Sequence, residues 1–357
     1  MTIRQLRCHR LSVPLHTPFV TALRSTRTLE TLVVEVTDAD GRRGFGEAPQ
    51  VWRVTGESLA GAEACVLGPL RDVVVGRSVD DLADLLRAVE TAVVANHGAK
   101  AALDVALHDL AARRLGVSLP RLLGSSRHDV PTDVTVSAGD EESLVADATE
   151  RMKDGFSVLK LKVGTDADAD VARVRAVRDA VGPKARIRLD ANQGWTARQA
   201  ITAIRSLEDA GADVEFVEQP VPAHDLDGLT RITASVDTPV MADESVFGLR
   251  DLSTVIERGA ADLVNVKLAK CGGLSTARAM LALASAHGVG TIVGSMMEGP
   301  VGVGAAASLV AAHPTTAVSD LDAAWWLAAS PVLGGIGYQA GTVTLPDSPG
   351  LGIEGLL

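Results

Sequence analysis

Polar residues able to do chemistry recur along the second half of the chain at nearly constant spacing. They are Lys162, Asp190, Glu218, Asp243, Lys267, Ser295 and Asp320, separated by 28, 28, 25, 24, 28 and 25 residues. That interval is the length of one strand, one helix and two short connections. In a closed β/α barrel it sets each residue at the same end of its own strand, where all of them face one pocket. Among them, three carboxylates in successive strands and two lysines make the composition of a metal-assisted acid/base site.

The carboxylates sit in Leu189-Asp190-Ala191-Asn192-Gln193, Phe216-Val217-Glu218-Gln219-Pro220 and Met241-Ala242-Asp243-Glu244-Ser245. Each follows an apolar run and precedes a helical one. Hard oxygen donors of this kind suit Mg²⁺, with Mn²⁺ the other candidate. No His or Cys at a matching position points to zinc. A strand-end carboxylate can instead cap the next helix. Three in successive strands favour metal ligation, with Asn192 and Glu244 behind the ligands.

Lys160 and Lys162 alternate in Leu159-Lys160-Leu161-Lys162-Val163, so both point to one side of the strand. Two ammonium groups against the helix layer would be costly, whereas the barrel mouth accommodates them. Lys267 ends the sixth strand, across the barrel from the second. Opposed bases on two faces of one carbon are what racemisation or epimerisation needs. Lys270 reads as surface or as a residue behind the site. Ser295 falls in the spaced series, and Met297 is placed at the mouth. Arg24, in a polar loop between the first two strands, could clamp an anion. Asp320 and Asp322, two apart, face one way and suit a positively charged ammonium.

These residues need a scaffold. Residues 2–12 and 29–37 read as strands, and Asp40-Gly41 as a hairpin turn into a third ending near Gly46-Glu47. Helical patterns follow at 57–69, 79–95 and 98–115, with Gly116 as a stop. The expected organisation is an α+β unit over 1–125, a βα repeat over 126–322, and a Gly/Pro-rich segment over 323–357 running back across the first unit. Eight strands are expected, at 132–137, 157–163, 185–190, 214–218, 240–243, 263–267, 290–294 and 316–319. A doubly wound sheet also alternates β and α, but polar residues repeating at the strand ends favour a closed α/β barrel. His108 reads as a packing residue and Trp325-Trp326 as an anchor for the last segment.

The formal charge of −11 argues against a nucleic-acid surface. Cys8, Cys65 and Cys271 form neither a disulfide framework nor a CxxC site. No signal peptide or membrane-spanning run is visible. The expectation is a cytoplasmic protein acting on a small molecule.

Lys160-Leu161-Lys162, Asp190, Glu218, Asp243 and Lys267, in this order, resemble the enolase superfamily, in its muconate-lactonizing-enzyme-like subgroup. The resemblance covers essentially the whole chain. It implies an α+β capping domain followed by a (β/α)₇β barrel, commonly assembled as a homo-oligomer. It implies that Asp190, Glu218 and Asp243 hold Mg²⁺, and that a substrate carboxylate binds the metal. Lys162 and Lys267, with Lys160 beside them, would move the α-proton. Asp320 and Asp322 resemble the pair that binds the free ammonium in dipeptide epimerases. Arg24 resembles the residue that contacts a glutamate side chain in the alanyl-glutamate epimerases, and Thr135 matches a substrate-contacting position. The implied activity is epimerisation at the C-terminal residue of a dipeptide. The alternative is an N-succinylamino acid racemase or o-succinylbenzoate synthase, which share the lysines and carboxylates but do not need Asp320 and Asp322. Trp52 and Arg53 are larger than expected beside a small alanyl-glutamate substrate and would narrow or change specificity.

Overall fold

The computed structural model describes residues 2–21 and 25–357. An antiparallel sheet opens the chain, with β1 (Ile3–Val20), β2 (Ser25–Asp38) and β3 (Arg43–Pro49) in the order β1-β2-β3. The β2–β3 turn forms where Asp40-Gly41 predicts it. The Asp38 carboxylate accepts hydrogen bonds from the amides of Asp40 and Arg42, and Gly41 takes a positive φ. Strand β1 runs well past residue 12. Pro14 falls at a break in its register with β2, and pairing resumes at Phe19. An edge strand tolerates Pro because its outer N–H groups need no partner.

Helices α1 (Leu59–Cys65) and α3 (His97–Leu115) pack against this sheet, and α2 (Leu82–Ala92) packs on α3. The pattern expected over 57–69 is interrupted because Gly68 leaves helical geometry just before Pro69. Helix α3 is buried from Gly98 to Ala112 and ends at Gly116, whose φ of 69° closes the helix in the left-handed region. It lies so close to β3 that a Cβ on Gly44 or Gly46 would collide with the carbonyls of Ala106 or Ala102.

After α4 (Leu119–Leu122) and β4 (Asp129–Pro131) come the barrel strands. They are β5 (Val134–Val136), β6 (Val158–Lys162), β7 (Arg186–Asp190), β8 (Val214–Glu218), β9 (Val240–Ala242), β10 (Leu263–Lys267) and β11 (Gly290–Gly294), all parallel and in sequence order. The segment expected as an eighth strand is not a regular one. It is joined to the two sheet edges by isolated parallel bridges, Thr132 to Ser319 and Gly294 to Asp320. Side-chain hydroxyls take over part of the ladder: Val293 N–H donates to Ser319 Oγ and Thr291 N–H to Thr316 Oγ1. The ring closes, but partly through side chains.

The outer helices are α5 (Glu141–Lys153), α6 (Ala167–Val181), α7 (Ala197–Asp209), α8 (Leu226–Thr233), α9 (Leu249–Arg258), the short α10 (Leu268–Cys271), α11 (Leu274–Ala286) and α12 (Pro300–Ala312). Asp140, Asp166, Thr196 and Asp225 cap α5 to α8 with their side chains. These caps lie well beyond Asp190 and Glu218, so those strand-end carboxylates are not spent on capping.

The last segment forms β12 (Val332–Gly334), β13 (Gly337–Gln339), β14 (Thr342–Thr344) and β15 (Ile353–Leu356); β14 pairs with β4, and β12 with β15. Its end is tied to the N-terminal unit by Arg43 and Arg113, which donate to the carbonyls of Glu354 and Ile353. Among the described residues no helix is long and apolar enough to cross a membrane.

Candidate active site

Parallel register aligns the strand ends. Lys162 pairs with Asp190, and Asp190 with Glu218. Inward alternation on β6 brings Lys160 and Lys162 inside the barrel rather than against the helices, and both are buried. The Lys160 ammonium lies 2.7 Å from Glu218 Oε2, 2.8 Å from Asp320 Oδ2 and 3.0 Å from Asp190 Oδ2. Lys162 donates to Asp190 Oδ2 at 2.6 Å, and Lys267 to Asp243 Oδ2 at 2.8 Å. Lys162 and Lys267, four strands apart, line one cavity of about 60 Å³ with Lys160, Thr135, Ser295, Met297, Asp320 and Asp322.

Lys270 is not a surface residue. Its ammonium lies 2.6 Å from Asp243 Oδ1 and donates to the carbonyls of Asp243 and Asn265. The short helix α10 turns it back beneath the strand end, because Gly272 ends that helix with a φ of 92°.

Charge decides the protonation of this cluster. Burial opposes the ammonium of Lys160, but Asp190, Asp320 and Glu218 outweigh it and hold the group well above the ordinary lysine range. Burial likewise opposes Lys267, and Asp243 outweighs it. Burial works against the ionised forms of Asp190 and Asp243. Lys160 and Lys162 nevertheless hold Asp190 below the usual carboxylate range, and Lys267 and Lys270 do the same for Asp243. Glu244 is pushed up to about 8 by burial and then by Asp243.

The donor set fits a hard divalent cation. Among the described residues no three carboxylates stand close enough to form a ready-made cage, because the Lys160 ammonium sits between Asp190 and Glu218. Yet Glu218 Oε2 and Asp243 Oδ1 are buried and accept no well-directed hydrogen bond, despite the lysines beside them. Asn192 Oδ1 and Glu244 Oε2 are buried without a partner. Orphaned buried oxygens are costly, and a cation held by Asp190, Glu218 and Asp243 would satisfy the carboxylates.

The backbone around these oxygens is strained. Asn192, Gln193 and Gln219 take φ values of 42°, 68° and 35°, left-handed geometry that only a well-determined site sustains. Gln219 supplies the determination: its Oε1 accepts from the amides of Asp243 and Ser245, and its Nε2 donates to Val221 O and Ser245 Oγ. Asn192 Nδ2 reaches Glu244 Oε1 at 3.4 Å.

Asp322 Oδ2 accepts from the Thr135 amide at 2.7 Å and from Trp326 Nε1 at 2.9 Å. Ser295 Oγ is turned to the Asp320 carbonyl. Arg24 lies outside the described residues. Trp52 and Arg53 line a separate cavity of about 420 Å³ that shares Met297 with the smaller one.

Sequence reasoning missed several participants. Asn265 donates to Glu218 Oε1 at 2.8 Å from two positions before Lys267. Its place on the same inward face was the available signal. Below them Arg188 is fully buried, 2.8 Å from Asp133 Oδ2, 2.7 Å from Glu215 Oε2 and stacked over Phe216.

Residues 143–355 match the family described as enolase C-terminal domain-like. Residues 3–124 match the N-terminal domain of mandelate racemase and muconate lactonizing enzyme. The L-Ala-D/L-Glu epimerase of Bacillus subtilis strain 168 is 42% identical over 99% of this chain and 97% of that protein. The structure of that epimerase in a substrate-liganded complex superposes with a TM-score of 0.97 over 100% of both chains. The dipeptide epimerase of Enterococcus faecalis V583, complexed with Mg and L-Leu-L-Tyr, gives a TM-score of 0.95 at 35% identity, with 99% of each chain covered. The N-succinyl-L-Arg/Lys racemase of Bacillus cereus is 31% identical over 99% of this chain and 95% of that protein. With a matching cap, a matching barrel and full-length likeness to enzymes that invert an α-carbon, this chain belongs to the enolase superfamily, in the mandelate racemase and muconate lactonizing enzyme group.

Proposed function

We propose that this chain is a Mg²⁺-dependent dipeptide epimerase that inverts the α-carbon of the C-terminal residue. One observation carries the reading: Lys162 and Lys267 line a single small cavity together with Asp320 and Asp322. Two acid/base groups serve inversion, and a carboxylate pair serves a free ammonium. When bound at Asp190, Glu218 and Asp243, Mg²⁺ supplies positive charge against the negative charge developing on the substrate carboxylate. One lysine removes the α-proton, leaving a planar enediolate, and the opposed lysine returns a proton to the other face. Lys267, 2.8 Å from Asp243 Oδ2, is placed to serve as the proton donor in one direction. Arg27 and Arg53 line the larger cavity beyond Met297. They favour a polar or acidic side chain on the inverted residue, as in an alanyl-glutamate substrate.

The test is a mass-spectrometric screen of L,L-dipeptide mixtures in D₂O with Mg²⁺. A one-unit mass gain confined to a few dipeptides establishes the chemistry and its specificity. Gain in N-succinylamino acids alone would replace this reading with the racemase alternative. So would an Asp320→Asn/Asp322→Asn enzyme that keeps its full activity.

A further inference from the structure

The chain is poor in aromatic residues, with four Trp, one Tyr and five Phe. Two of those Trp and two of those Phe meet at the Asp322 end of the site. The Trp325 and Trp326 rings are 5.2 Å apart, Phe156 lies 5.4 Å from Trp325, and Phe19 lies 5.5 Å from Trp326. His16 stacks on Trp326 at 5.3 Å with an interplanar angle of 18°. His16 and Phe19 belong to the cap strand β1, whereas Trp325 and Trp326 follow the barrel's closing segment.

The cluster is anchored in the site. Trp326 is buried, and its Nε1 donates to Asp322 Oδ2 at 2.9 Å. The same oxygen takes the Thr135 amide. Among the described residues Asp322 Oδ1 has no hydrogen-bond donor, and Asp322 lines the small cavity. Asp320 is already engaged by Lys160. Asp322 therefore has one oxygen fixed and one available, and the Trp326 indole and the Thr135 amide together set which way it faces.

We propose that Trp326 is a positioning residue for the ammonium end of the substrate: it orients Asp322 toward the cavity and, through His16 and Phe19, ties that orientation to the seating of the cap. This rests on the epimerase reading. A carboxylate held by fixed donors is preorganised, so its capture of an ammonium loses little freedom. The indole N–H matters separately from the ring. Trp326→Phe removes the donor and keeps most of the aromatic packing.

The test compares Mg²⁺-loaded wild type and Trp326→Phe with L-Ala-L-Glu and with N-propanoyl-L-glutamate, which differs by the missing ammonium. Affinity is read by titration calorimetry and, for the dipeptide, as KM. Loss of a hydrogen bond to a charged group should weaken dipeptide binding about tenfold. The analogue's affinity and kcat should change little, and the variant should remain folded at the assay temperature. On an Asp322→Asn background the Trp326 substitution should have no further effect on the dipeptide. Equal losses for dipeptide and analogue would mean a merely structural role and would overturn the proposal. A wild type that prefers the dipeptide, with Trp326→Phe preferring it just as strongly, would overturn the proposal and leave the epimerase reading standing. A wild type without that preference would remove the ammonium role of Asp322 and the role of Trp326 with it.

Discussion

Lys162 and Lys267 line one cavity from strands four apart, and the proposed two-base inversion has a kinetic signature. Removal of either lysine should lower epimerisation by about a thousandfold or more, within the range of general acid–base catalysis. The remaining lysine should still exchange the α-hydrogen of one configuration with solvent. Proton NMR in D₂O would follow this for Lys162→Ala and Lys267→Ala, and full racemisation by either variant would end the two-base reading. The strand-end residues were legible because a barrel repeats at the length of one βα unit. Of the residues two positions lower, Lys160 was legible beside Lys162, but Asn265 and Arg188 were not, because their inward aim follows from strand parity and not from their type. Arg188 is the costly example. Its guanidinium is buried beside Asp133 and Glu215, and burial is outweighed by those carboxylates, which hold it above its ordinary value. Arg188→Met would strand the Asp133 carboxylate, whose Oδ1 already lacks a partner. The expected cost is about 3–5 kcal/mol, the usual result of breaking a buried pair from one side. Urea denaturation would measure it, and a loss under about 1 kcal/mol would contradict the assignment.

Elements meet at two tight joints that the sequence signals only as glycines and acids. At the first, β3 rests directly on the α3 backbone at Gly44 and Gly46. Gly46→Ala should destabilise by at least the ~1–3 kcal/mol typical of overpacking, because the obstacle is a main-chain carbonyl that cannot rotate away. A shift in denaturation midpoint checks it. At the second, Glu47 on β3 accepts from the amides of Gly299 and Gly302, where α12 begins. The carboxylate thus satisfies helix N-terminal donors of the barrel from the other unit. Glu298 lies against the same turn, accepts from the Met296 amide, and is pushed up to about 8 by burial and then by Glu47. Its proton is held more tightly in the folded chain than in the unfolded one. The resulting stability is complete below the ordinary glutamate value and is lost as pH rises through about 8. The slope from one such group is at most about 1.4 kcal/mol per pH unit. Melting curves across this interval should fall less steeply for Glu298→Gln than for wild type, and parallel curves would contradict the shift. The strands themselves were readable from alternation and turn residues. The eighth was overread, because Thr316 and Ser319 replace part of its ladder with hydroxyl contacts, and composition does not distinguish a hydroxyl in the ladder from one in solvent.

At the scale of the whole molecule, the chain closes on itself through contacts between residues far apart in sequence. Asp109 on α3 accepts from the amides of Phe45 and Leu351 and from Arg113. One carboxylate thereby joins the cap sheet, its central helix and the last segment. No local pattern announces such a hub, because each partner is ordinary in its own neighbourhood. The electrostatics of the core are likewise collective. Lys160, Lys162, Lys267 and Lys270 offset Asp190, Glu218, Asp243 and Asp320, but Glu244 and Asp322 add further acid inside the same wall. Burial and neighbouring carboxylates push both of these upward. Such a wall holds more acids than its lysines offset, and a bound divalent cation would favour their ionised forms. A ligand that binds only the folded state stabilises it by about 2.7 kcal/mol at one hundred times its dissociation constant. Mg²⁺ should therefore raise the melting temperature by several degrees, and chelation should reverse the gain without any substrate present. Asp190→Asn and Asp243→Asn should each blunt the response, since each removes a charged donor. Asp320→Asn should leave most of it, because Asp320 faces Lys160 and is not among the proposed metal ligands. Scanning calorimetry with and without Mg²⁺ separates these outcomes. A wild-type melting temperature indifferent to Mg²⁺ at millimolar concentration would remove the metal from this site.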